Sequence, residues 1–76
     1  MRALVEYIAT SLVDDPASVH VRDVARPRET RLELRVSPQE IGKVIGRHGR
    51  TARAIRSLLE VCGRKVGKRF SLEIAE

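Results

Sequence analysis

Seventy-six residues leave room for one small domain, whose interior is too modest to enclose a deep active site. Fifteen Lys and Arg against ten Asp and Glu give a net charge of +5, which points to an anionic partner: nucleic acid, an anionic membrane or an acidic protein. A single cysteine, Cys62, excludes an internal disulfide and a multi-cysteine zinc site, and it fits a reducing cytoplasm.

The first residues lack the apolar core and cleavage site of a signal peptide, and no apolar run approaches membrane-spanning length. The expectation is a soluble, cytoplasmic chain with no membrane contact. Leu4, Val5, Ile8, Ala9, Leu12 and Val13 recur at helical spacing, with Arg2, Glu6, Thr10 and Asp14 on the other side. That pattern predicts an amphipathic helix with one buried face. Asp14-Asp15-Pro16 stops it, because proline disfavours helical backbone in the residue before it.

Val19 and Val21 alternate with His20 and Arg22, which predicts a short strand, and Arg26-Pro27-Arg28-Glu29 reads as a polar turn. Leu32, Leu34 and Val36 alternate with Arg31, Glu33 and Arg35 in a second strand. Ser37-Pro38-Gln39-Glu40 carries the signals of a helix start, with Ser37 as cap, Pro38 at the first position and Glu40 completing a capping box. The short helix that follows has Ile41, Val44 and Ile45 on its apolar side and ends at Gly46. Thr51 to Cys62 reads as a longer helix terminated by Gly63, followed by a basic loop from Arg64 to Arg69 and a strand marked by Phe70, Leu72 and Ile74.

The order is therefore α-β-β-α-α-β. A short turn makes the first two strands an antiparallel hairpin, and the two-helix crossover lets the second and third lie parallel. The expected fold class is α+β: one domain over residues 1–76, a three-stranded mixed sheet with three helices packed on one face.

Chemistry concentrates in Ile41-Gly42-Lys43-Val44-Ile45-Gly46-Arg47-His48-Gly49-Arg50-Thr51. Two glycines flank two polar residues between helices, so the backbone can turn tightly and approach a ligand closely. The start of the second helix favours an anion through its open amides and dipole. Lys43, Arg47, His48 and Arg50 add donors at the rim. Such a site suits a phosphodiester backbone. No second His or Cys stands at ligand spacing, so no metal role is expected, and no cofactor. The Walker pattern is absent and no nucleophile–base or carboxylate pair surrounds the loop, so catalysis is not expected.

The Ile-Gly-x-x-Gly loop between two helices, with an additional helix and strand before it, resembles the type II KH domain over almost the whole chain. The run Val44-Ile45-Gly46-Arg47-His48-Gly49-Arg50-Thr51 and the lone-domain length resemble the small bacterial KH proteins of the KhpA (YlqC) family. The resemblance implies a clamp on about four nucleotides of single-stranded RNA, or single-stranded DNA, beside an apolar groove. The residues it marks for RNA are Lys43, Val44, Ile45, Gly46, Arg47, His48, Gly49, Arg50 and Arg53. The candidates for the groove floor are Ile41, Val44, Ile45, Ala52 and Ile55, some of which must instead belong to the core. For His48 a direct contact and a solvated loop position both stay open. It also implies a post-transcriptional regulator or RNA chaperone, working as a homodimer or with a larger KH-containing protein of the Jag type.

Tyr7 and Phe70 are the only aromatics, so extensive base stacking is excluded. Both are expected in the core or at its edge, and binding is expected to be weak, backbone-dominated and salt-sensitive. On the long helix, Ala52, Ile55, Leu59 and Cys62 form one apolar stripe and Ala54, Leu58 and Val61 another. The second stripe is either part of a wide buried face or a dimer or partner interface. A protein-interaction module in which nucleic-acid binding is secondary is the alternative function. Double-stranded DNA binding lacks a recognition helix.

Overall fold

A computed structural model describes residues 1–75. The elements run α1 (Arg2–Leu12), β1 (His20–Ala25), β2 (Thr30–Arg35), α2 (Ile41–Ile45), α3 (Arg50–Val66) and β3 (Phe70–Ala75), with 3₁₀ turns at Pro16–Ser18 and Arg47–Gly49. The sheet order is β1-β2-β3. β1 pairs antiparallel with β2, His20 opposite Arg35 and Ala25 opposite Thr30. β2 pairs parallel with β3, Leu32 opposite Leu72 and Leu34 opposite Ile74. This is the α+β mixed sheet that the alternation and the crossover length predict.

The core lies between the sheet and the helices. Val5, Ala9, Leu32, Leu34 and Val44 are fully buried, joined by Val13, Val36, Ile55, Leu59 and Leu72. Full burial of a Val or Leu side chain is worth about 1.5–3 kcal/mol, which is how the central strand β2 anchors so small a domain. The outer sheet face is charged. Arg22 Nη2 lies 2.6 Å from Glu33 Oε1 across β1 and β2, and Arg31 lies 3.8 Å from Glu73 across β2 and β3.

Three local expectations are corrected. Ser37 and Glu40 do not form a capping box: α2 starts at Ile41, after a turn in which Glu40 N donates to Ser37 O at 2.9 Å. The buried Glu40 carboxylate reaches instead to the end of α1, accepting from the amides of Asp14 at 2.7 Å and Asp15 at 3.2 Å. Gly63 does not end α3. The helix continues one turn to Val66, and Gly67 closes it in the left-handed region at φ +69°, with Lys68 N donating to Gly63 O at 2.8 Å. Half of the supposed basic loop is therefore helix. Tyr7 is 73% exposed on α1, outside the core, whereas Phe70 packs against the core as expected.

Candidate nucleic-acid interface

Val44 is fully buried beneath α2, so the helix that leads into the glycine loop is pinned to the core. Gly46 N donates to Gly42 O at 2.9 Å and stops α2. Gly46 then takes φ +78°, and a Cβ there would collide with Thr51 Oγ1 and lie 2.6 Å from Thr51 Cβ and 2.8 Å from its amide nitrogen. Only glycine lets the first turn of α3 stack so tightly on the end of α2. Gly49 also has positive φ, +74°, but open space surrounds it.

Between them His48 sits at φ +57° in the left-handed region, where non-glycine residues carry a cost of about 1–2 kcal/mol. Arg47 and His48 are both exposed, held outward at the turn between the two helices. The first turn of α3 has no acidic residue and no side-chain cap, and it carries Arg50 and Arg53, both exposed. Cations at the positive end of a helix are disfavoured unless an anion sits beside them. The 3₁₀ turn alters one expectation. Gly49 N already donates to Gly46 O at 3.0 Å and Arg50 N to Arg47 O. The loop thus offers side-chain donors and a close-approach backbone in place of those two helix amides.

Not every expected contact residue faces this surface. Val44 is core and supports the loop from beneath. Lys43 turns its ammonium toward Asp14 and lies 3.8 Å from Glu40, on the α1 side of α2. The hydrogen bond to Asp14 raises the Lys43 pKa above its ordinary value and attenuates the charge it offers to a ligand. Of the expected groove floor, Ile45 and Ala52 line an open groove, while Val44 and Ile55 belong to the core and Ile41 packs against it.

The opposite wall of that groove is β3, through Ser71, Leu72, Glu73 and Ile74, with Arg56 between the walls. Among the described residues β3 pairs only with β2, so its other edge has no strand partner. Arg56 Nη2 spans from α3 to Leu72 O at 3.4 Å, and Ser71 Oγ donates to Glu29 Oε2 at 2.9 Å. Sequence reasoning missed these groove residues. Alternation marks β3 as a strand but cannot tell which of its edges lacks a partner.

The second apolar stripe of α3 is resolved in favour of exposure. Leu58 is 48% and Val61 47% exposed, and Ala54 is exposed too, while Ile55 and Leu59 fill the core. Among the described residues no cluster of three or more His, Cys, Asp or Glu could hold a metal, and no helix is long and apolar enough to cross a membrane.

The model of the KhpA/KhpB KH domain matches residues 2–74. The RNA-binding protein KhpA of Aquifex aeolicus is 47% identical over 76 residues, covering 100% of this chain and 96% of that protein. KhpA of Clostridium perfringens is 49% identical over 74 residues, covering 97% of this chain and 99% of that protein. KhpA of Halalkalibacterium halodurans is 42% identical over 76 residues, spanning both chains fully. No solved structure gives a significant match.

Proposed function

The chain belongs to the KhpA/KhpB family of KH domains, and from that premise we propose that it binds single-stranded RNA in the cytoplasm, holding the backbone at Gly46–Gly49 and the bases along the groove between α3 and β3. The observation that carries this reading is the loop itself: Arg47 and His48 stand exposed between two positive-φ glycines, at the end of a groove lined by Ile45, Ala52, Leu72 and Ile74. The role is binding without catalysis, in post-transcriptional control or as an RNA chaperone. Fluorescence titration of labelled single-stranded RNA tests it. Arg47→Asp/His48→Asp, with an unchanged circular dichroism spectrum, should bind about tenfold or more weakly at low salt, where phosphate contacts count most. Affinity equal to the wild type removes the loop from the site.

The exposed Ala54-Leu58-Val61 stripe supports a second part of the proposal. A small groove with two aromatics in the whole chain holds RNA weakly, and a second copy packed on α3, or a larger KH-containing partner of the Jag type, doubles the contacts. A two-fold arrangement sets this stripe against its own copy.

A further inference from the structure

A second depression adjoins the groove at Arg56 and is lined by the β1–β2 turn and the α3–β3 turn, which lie side by side. Three backbone hydrogen bonds fix this junction: Arg26 N to Glu29 O at 2.8 Å, Thr30 N to Arg69 O at 2.9 Å and Lys68 N to Gly63 O at 2.8 Å. They bring Arg26 and Arg28 of one turn beside Lys68 and Arg69 of the other, forty residues along the chain. All four are exposed, and none forms an ion pair among the described residues. Two carboxylates share the lining: Glu29 accepts from Ser71 and keeps its charge, and Glu60 lies 3.6 Å from Arg64, so against six cations the lining stays positive.

Resting on the RNA-binding reading above, we propose that Arg26, Arg28, Lys68 and Arg69 form a second phosphate-binding site, which takes the same RNA strand after it leaves the clamp and lengthens the footprint beyond the loop and its groove. Two arguments carry it. Four unpaired cations held together by the backbone repel one another, and a polyanion relieves that repulsion; three of them are guanidinium groups, the better match to phosphate. The site also adjoins the groove that starts beside the loop at Ile45 and Ala52, since Glu29, Arg56, Ser71 and Leu72 line both depressions. α3 starts at the loop and ends at the cluster, so its 17 residues set the separation at about 25 Å. A strand gripped at one end and laid along β3 meets the cluster at the other.

The test compares labelled oligouridylates of five and ten nucleotides across a salt series. Arg28→Gln/Lys68→Gln should leave pentamer affinity close to wild type. On the decamer it should weaken binding and reduce the slope of log affinity against log salt by about 1.4, or 0.7 for each lost contact. Arg2→Gln/Arg22→Gln removes the same charge away from the groove and should leave that slope unchanged. If the slope of the decamer is the same in Arg28→Gln/Lys68→Gln as in wild type, or falls equally in the Arg2→Gln/Arg22→Gln control, the proposal fails and the cluster is left for an acidic protein or for solvent. The loop reading is judged separately, because only Arg47→Asp/His48→Asp should weaken the pentamer.

Discussion

Gly46 and Gly49 occupy matching places in the motif, yet a methyl group meets different surroundings at each. At Gly46→Ala the new Cβ meets both the side chain and the backbone of Thr51, so α2 and α3 must separate. The expected loss, about 2–4 kcal/mol by the cost of overpacking plus left-handed strain, should show in urea unfolding. Adding Thr51→Ala should restore little, because the contacts with Thr51 Cβ and its amide nitrogen remain. Gly49→Ala meets open space and carries only the positive-φ cost, about 1 kcal/mol. Equal losses at the two positions would show that the packing of α2 on α3 is not what demands Gly46. His48 carries the same backbone strain without being glycine.

At the scale of elements, two ties hold the site in place. Glu40 joins α2 to the end of α1 through the amides of Asp14 and Asp15. Hydrogen bonds to a charged group contribute about 1.5–3 kcal/mol, so Glu40→Ala should lower the melting temperature by roughly 10 °C. Glu40→Gln, which keeps one acceptor oxygen, should lose less. A melting temperature unchanged in Glu40→Ala would reduce the tie to a solvated contact. The other tie is Gly63, buried where α3 meets the approach to β3. An added Cβ collides with Lys68 O and lies 3.2 Å from Phe70 Cδ2. Gly63→Ala should therefore cost about 1–3 kcal/mol and, by shifting the turn that carries Lys68 and Arg69, weaken decamer binding more than pentamer binding. The capping box and the Gly63 stop are plausible local readings that lost to these longer-range contacts.

For the whole molecule, association and pH response are the testable properties. Leu58→Glu places a charge in the exposed stripe of α3 while leaving the core intact. Sedimentation velocity should show the wild type as a dimer and the variant as a monomer with the same melting profile at low concentration; a variant that stays dimeric moves the interface elsewhere. On the outer sheet face, the hydrogen bond from Arg22 holds the Glu33 pKa below the ordinary 4.5; desolvation opposes it as the next-largest effect, and the charges of Arg22, Arg31 and Arg26 each add a smaller lowering. A lowered carboxylate contributes stability above its unfolded value and loses it as pH falls through the folded one. Glu33→Gln should thus flatten the acid limb of the stability curve below about pH 4.5, slightly, because the pair is exposed. Lys43 acts in the opposite sense. Its pKa is raised from 10.5, so its contribution is complete below that value and is lost as pH rises through the folded one. Near neutral pH both contributions are fully present, so neither group should make stability vary with pH there, which chemical denaturation across the pH range would check.

The sequence by itself determined the order of elements, the α+β class, the glycine loop and its cationic rim, because periodicities of two and 3.6, glycine placement and charge are local properties of the chain. It could mark Ala54, Leu58 and Val61 as a stripe without deciding whether they are covered. Tertiary structure decided that, since exposure depends on which helix face the sheet occupies. It also moved Val44 into the core, turned Lys43 toward Asp14, left one edge of β3 without a strand partner among the described residues, and set Arg26 and Arg28 beside Lys68 and Arg69. These outcomes depend on contacts between residues far apart in the chain, and no window of local pattern contains them.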